Sequence, residues 1–153
     1  MNSLPHINIR RIKEVSFFID EFSIGQGGDK PIKMDLEQRL GFAFPENYIE
    51  LTISIFYYFE SSKSRQKLCE IVVQNIFEIS NLPDYRINDN EILLPKEIIS
   101  TVFSTAISHT RGILSIHLHG SSLELPSLAD GYDVARHFYP QMFLDKSDFS
   151  IPA

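Results

Sequence analysis

The stretch Asn47-Tyr-Ile-Glu-Leu-Thr-Ile-Ser-Ile-Phe-Tyr-Tyr-Phe59, a polar turn, and then Leu68-Cys-Glu-Ile-Val-Val-Gln-Asn-Ile-Phe-Glu-Ile-Ser-Asn-Leu82 decides the fold. Ile49, Leu51, Ile53, Ile55, Tyr57 and Phe59 fall on one parity and are opposed by Glu50, Thr52 and Ser54, the period of two that a half-buried strand requires. The segment from Glu60 to Gln66 is short, charged and free of bulky apolar residues, so it reads as a hairpin loop. On the return strand Cys69, Ile71, Val73 and Phe77 share a face, with Glu70, Gln74 and Glu78 on the other. Leu68, Val72 and Ile76 break that polar side, so the second face also needs cover.

Working outward, Ile7 to Phe22 is rich in strand formers: Ile7, Ile9, Ile12, Val15, Phe17, Phe18 and Ile19 interleave with Arg10, Arg11, Lys13, Glu14, Ser16 and Asp20. The alternation slips around Ile12, which predicts a long strand bulged there, and a strand this long and apolar is hazardous as a free edge. Gly25-Gln-Gly-Gly28 lacks the strand-before, helix-after setting of a phosphate loop and reads as a plain loop. Ile32 to Leu36 predicts a short strand, and Glu37 to Pro45 an irregular crossover carrying Phe42 and Phe44. Downstream, Pro95 suits a first helical turn, and Ile98, Ile99, Val102, Phe103, Ala106 and Ile107 recur at helical spacing. Because the rest of that helix is small and weakly polar, one side is expected on the sheet and another, including Phe103 and Ile107, against a second subunit. The segment 113–126 is open between helix and strand, with continuation of the helix favoured, and Asp133 to Phe138 reads as a short amphipathic helix.

The chain has 153 residues, 43% of them hydrophobic, which suits one domain over 1–153 with a real core. A net charge of −6 with pI near 5.3 argues against nucleic acid as partner. The opening residues lack the pattern of a secretory signal, no apolar run reaches the length of a membrane span, and the one cysteine, Cys69, suits a reducing compartment. A soluble cytoplasmic protein is the expectation.

Chemistry is sparse. His117 and His119 form a His-x-His pair with only Glu124 near in sequence, and His109-Thr-Arg-Gly112 offers a base and a cation without a nucleophile. A metal enzyme or small hydrolase using His109, His117 and His119 is the competing reading to a binding protein. Cys69 in an apolar strand pattern behaves as a small hydrophobe. No catalytic residue, metal site or cofactor is expected. The 12 Phe and 6 Tyr are either core or the lining of an apolar groove, and periodicity leaves both open.

In order, Ile7-Asn-Ile-Arg-Arg-Ile12, Pro31 to Leu36, Tyr48 to Ile55, Leu68-Cys-Glu70 with Ile76-Phe-Glu-Ile79, Ile92-Leu-Leu-Pro95, Arg111-Gly112 and Leu123 to Leu128 resemble the SecB family of export chaperones across most of the chain. The resemblance implies an α+β subunit, a four-stranded antiparallel sheet with a long helix and a short C-terminal helix packed on one face, assembled as a homotetramer. It implies ATP-independent binding of unfolded or precursor polypeptides in an apolar groove, for which Phe42, Phe44, Tyr57 and Phe59 are the candidates. It also implies delivery to the translocase motor SecA through acidic residues on the outer sheet face, matched here by Asp20 and Glu70. Ser16 stands where another acid is expected, and the tail is not the long acidic tail of the family. The alternative is a partner dedicated to a single client such as an antitoxin.

Overall fold

The computed structural model describes residues 6–61, 63–89, 91–121, 123, 125 and the backbone of 148–152. The predicted hairpin forms: β3 (Tyr48–Glu60) pairs antiparallel with β4 (Arg65–Ile79), with Ile53 opposite Val73 and Ile55 opposite Ile71. The turn is closed by the Ser61 N–H donating to the Ser64 carbonyl at 2.9 Å. One register shift lies between Tyr57 and Tyr58, opposite Cys69 and Lys67, and leaves Leu68 as the extra residue. That is why Leu68 is fully buried although its parity is that of the outer face.

β4 is flanked by β1 (Ile7–Ile19) and β3 by β2 (Ile32–Ala43), giving an antiparallel sheet of order β1-β4-β3-β2. The α+β architecture expected from the sequence is therefore the one observed. Two boundaries differ. The segment 37–45 is not a crossover: β2 runs on through Phe42, which pairs with Ile49, and reverses in a tight turn. In that turn Asn47 adopts φ 60°, a left-handed conformation that asparagine tolerates, and its N–H donates to the Phe44 carbonyl at 3.2 Å. Gln38 and Gly41 obscure the alternation in the sequence, but pairing along the whole of β3 holds the strand. The crossover from one sheet edge to the other is the segment 20–31, which contains a short helix α1 (Glu21–Gln26). The Asp20 carboxylate caps it, accepting from the Ser23 N–H at 3.0 Å and the Ser23 hydroxyl at 2.7 Å.

β1 carries two register shifts, between Ile9 and Arg11 and between Glu14 and Ser16, in place of the single bulge predicted at Ile12. Each shift resets the parity. As a result Ile7, Ile9, Ile12, Glu14, Phe17 and Ile19 all lie opposite inward residues of β4.

The inner face is covered by α2 (Lys96–Leu118), which packs chiefly on β3 and β4. Pro95 is its N-cap, one residue earlier than predicted, and the helix continues through Gly112 as favoured. Phe103 and Ile107, expected at a subunit interface, are 0% and 3% exposed within the subunit itself. They lie on the stripe that seals the sheet, with Ile99, Val102, Ala106 and Leu114, so neither has surface to offer a partner. A second sheet, β5 (Arg86–Asn88), β6 (Glu91–Pro95) and β7 (Asp148–Pro152), was not anticipated; it ties the C-terminal strand to the entry of α2 by backbone pairing. The helix predicted over Asp133 to Phe138 lies outside the described residues.

A buried polar contact crosses the helix–sheet interface. Asn75 is fully buried, its amide nitrogen donates to the Leu51 carbonyl at 3.4 Å, and its Oδ1 lies 2.8 Å from His109 Nδ1. With the Asn75 amide so oriented, His109 Nδ1 carries the proton. Burial pulls the His109 pKa below its ordinary value of 6.5, so unfolding takes up a proton as pH falls through that value. The His109 contribution to stability is full above about pH 6.5 and declines below it. Urea midpoints measured from pH 5 to 8 should fall towards acid, and His109→Asn should flatten that part of the profile.

Candidate functional site

Phe42 and Phe44 are partly buried at the β2–β3 turn and stack with ring centroids 6.0 Å apart and 10° between planes. The Arg86 guanidinium sits 4.3 Å from the Phe44 ring centroid and braces the pair from outside. Tyr57 and Phe59 lie deeper, at 5% and 8% exposure. Tyr57 faces Cys69 across the hairpin, and burial pushes the phenol up to about 12 and the thiol up to about 11, so neither is an activated nucleophile at neutral pH. Phe59 is roofed by the crossover: a Cβ on Gly27 would stand 2.2 Å from Phe59 Cζ, and the Lys30 ammonium lies 5.7 Å from the ring centroid. The four aromatic candidates thus divide into a stacked pair at the surface and a pair beneath it.

The crossover itself brings residues that the sequence reading passed over. Ile19, Glu21, Ile24 and Gly25 line a mostly apolar cleft of about 190 Å³ that is closed on one side by Ser121, beyond the end of α2. Phe22 projects beside it with 76% of its surface exposed. Asp20 followed three residues later by Ser23, with Gly25 two residues beyond, was the local sign of a capped helical turn there. The Asp20 main chain anchors the turn, its N–H donating to the Leu68 carbonyl at 2.7 Å, and the Gln66 amide reaches the Ser23 hydroxyl at 3.2 Å.

The outer face is polar at its centre and aromatic at one end. Glu37, Arg39, Glu50 and Glu70 border an open trough of about 470 Å³ floored by Thr52, Ser54, Val72 and Gln74. Glu70 accepts from the Ser54 hydroxyl at 2.8 Å and from the Lys67 ammonium at 3.0 Å, and the Gln74 amide donates to Glu50 at 2.8 Å. Asp20 is held below the ordinary carboxylate range by the Ser23 N–H and hydroxyl, so it stays ionised as the α1 cap. Beside the trough, Phe56 and Tyr58 point outward yet are buried, because Lys67 and Arg65 lie over their rings at 4.9 and 4.6 Å. Asp35 engages Arg65 at 3.5 Å and completes the cover.

The three histidines are not brought together. His109 meets Asn75; His117 contacts the Glu14 carboxylate through Nε2 and stacks on Phe17, centroids 3.9 Å apart; His119 is exposed beyond α2. The bulge after Glu14 makes this clasp possible, since it turns both Glu14 and Phe17 inward. Among the described residues no three His, Cys, Asp or Glu side chains converge as a metal site, and no helix is long and apolar enough to cross a membrane.

No family model matches the sequence, and no curated protein matches it. Among solved structures the chain is similar to a SecB-like chaperone of Mycobacterium tuberculosis, in complex with a ChAD peptide from the HigA1 antitoxin. The two share 11% identity at a TM-score of 0.45, over 80% of this chain and 89% of that one.

Of the crossover glycines Gly25, Gly27 and Gly28, Gly27 is the one that meets a side chain closely, at Phe59. Gly27→Ala must displace that ring, and the variant is expected to lose about 1–3 kcal/mol in urea unfolding and to be cut faster by protease within 20–31. Gly25→Ala, with nothing within 4 Å of its Cβ, is the matched control.

Proposed function

We propose that this protein binds extended, non-native polypeptide without nucleotide, as an ATP-independent chaperone acting in the cytoplasm. The observation that carries the reading is the concentration of large apolar side chains left open on β1 and α1: Ile9 at 50%, Ile12 at 43%, Val15 at 53%, Phe18 at 46% and Phe22 at 76% exposure. Apolar surface gathered along one flank, with acids around it, is what a receptor for unfolded chain requires. The groove in this reading begins at Phe22 and the Ile19/Ile24 cleft, with Phe59 and Tyr57 beneath the crossover, and a second apolar station stands at Phe42 and Phe44. Each client ring desolvated there stabilises the complex by roughly 1–3 kcal/mol, so several weak stations give tight binding without sequence specificity. The four motifs that resemble SecB strands coincide with β1 to β4, which supports the same reading.

Light scattering by a slowly refolding client tests it. Near-stoichiometric protein should suppress the signal. Phe22→Ser and the double variant Phe42→Ser/Phe44→Ser should each lose suppression while keeping the wild-type circular dichroism. Suppression of no general client, with binding confined to one, moves the dedicated-partner role ahead.

Assembly as a homotetramer belongs to the same proposal. With Phe103 and Ile107 in the core, the exposed apolar residue that α2 offers for it is Ile116, 76% exposed. Engagement of a SecA-type motor is also part of it, and would use the charge of Asp20 and Glu70. Because asparagine caps a helix as well as aspartate does, Asp20→Asn removes charge and keeps α1. Asp20→Asn/Glu70→Gln should weaken motor binding and reduce its salt dependence, measured by calorimetry at two ionic strengths, with client binding unchanged. Identical affinities at both salt concentrations would exclude this face as the docking site.

A further inference from the structure

α2 packs chiefly on β3 and β4, which leaves the inner side of β2 half-covered along the flank of the helix. Among the described residues, the buried side-chain nitrogen and oxygen atoms without a hydrogen-bond partner are Arg111 Nε and Gln38 Oε1. One is a donor and the other an acceptor, and they come from the two walls of this strip. Gln38 is a half-buried inner residue of β2, opposite Ile53 and between Leu36 and Leu40. Arg111 is placed by helical phase, since His109 and Arg111 lie about 100° to either side of Thr110. Thr110 is fully buried against the sheet and His109 is engaged by Asn75 of β4, so Arg111 falls on the opposite flank, toward β3 and β2. Burial raises the Tyr57 pKa and the Arg111 charge opposes it, so the guanidinium is within electrostatic reach of that phenol, whose cross-strand neighbour on β2 is Met34.

No described residue answers the Arg111 charge. It makes no ion pair among them, and every inward residue of β2 from Met34 to Phe42 and of β3 from Ile49 to Phe59 is neutral. The one carboxylate of α2 is Glu97, in its first turn and far along the helix from Arg111. A donor and an acceptor withdrawn from water without partners each raise the free energy of the subunit, and a ligand that answers them recovers that energy on binding.

We propose that the strip between α2 and β2 takes an extended polypeptide segment that bears a carboxylate, with the carboxylate accepting from Arg111 and a backbone N–H of the segment donating to Gln38 Oε1. The inference rests on the reading of polypeptide binding and adds a chemical preference to it. Apolar side chains of the segment meet the partly buried Met34 and Leu40, and one acid meets Arg111. A peptide carbonyl satisfies the Nε–H, but only an anion also answers the guanidinium charge. This preference runs against the protein's net charge of −6, which by itself favours basic segments. The site and the overall field therefore predict opposite orders of affinity.

Fluorescence anisotropy with labelled peptides of alternating leucine and serine, carrying one central glutamate, glutamine or lysine and an amidated end, tests it. The wild type should bind the glutamate peptide about tenfold more tightly than the glutamine peptide, with the lysine peptide weakest. Arg111→Gln should bring the glutamate and glutamine peptides to equal affinity. Arg111→Lys, which keeps the charge and lacks the Nε donor, should retain part of the difference, and Gln38→Leu should weaken all three peptides alike. The glutamine peptide with a free C-terminal carboxylate distinguishes the two sources of the anion: a gain that depends on Arg111 adds the chain end to the site, and no gain confines the site to acidic side chains. Circular dichroism checks the fold of each variant, and the comparison of peptides on the wild type needs no variant at all. Equal wild-type affinity for the glutamate and glutamine peptides, or a preference that survives in folded Arg111→Gln, overturns the Arg111 site and leaves polypeptide binding standing. Binding of none of the peptides, together with no suppression of light scattering, is the failure of polypeptide binding itself, and the inference falls with it.

Discussion

Among the described residues one long helix covers the inner face of the four-stranded sheet, and it is too narrow to do so alone. A helix is about 10 Å across and strands lie about 4.8 Å apart, so a single helix seals roughly two of them. α2 seals β3 and β4, where Ile49, Leu51, Ile53, Ile55, Ile71 and Val73 have no exposed surface. The inner sides of the two edge strands are left half-covered, which is why Ile9 and Ile12 on β1 stay open and why Met34, Leu40 and Phe42 on β2 are only partly buried. Apolar surface at both edges follows from the width of the cover. A subunit so built reaches its lowest free energy only when something else lies along those edges.

The outer face meets the same difficulty by different means. Among the described residues it has no second layer of helices, and its centre is polar, with Ser54, Glu50, Glu70 and Gln74 hydrogen-bonded among themselves or to Lys67. Where aromatics do point outward, at Phe56 and Tyr58, long cationic side chains lie flat across the rings and carry their charge to the solvent. The cover is made of flexible side chains from the hairpin strand β4, so the outer face over β3 and β4 presents charge and little apolar surface.

Irregular backbone is placed where side chains need to be turned. The bulge after Glu14 brings Glu14 and Phe17 to one side of β1, where they hold His117 and with it the C-terminal end of α2. The bulge at Leu68 buries that side chain and offers its carbonyl to Asp20, at the start of the crossover. The polar contact between Asn75 and His109 fixes where α2 sits along the sheet, since a buried amide without its partners would cost about 1–3 kcal/mol.

The sequence alone determined the central hairpin, its buried face and the long helix, because a period of two over 49–59 and of 3.6 over 98–107 is a local property of the chain. The resemblance to an export chaperone came from the order of the pieces, and the α+β class was what that resemblance implied. Tertiary structure decided what periodicity does not encode, namely which element lies beside which. Phe42 looked irregular because Gln38 and Gly41 interrupt the pattern of β2, and only pairing with β3 makes that segment a strand. Phe103 and Ile107 share a helical stripe with residues that must face something, and the sheet of the same subunit, not a second one, is what they face. The pairing of 148–152 with 91–95 joins segments more than fifty residues apart, and no local signal carries such a contact. Periodicity reports that a face is apolar; the identity of the surface that covers it is settled by long-range geometry, because burial free energy depends on area removed from water and not on what removes it.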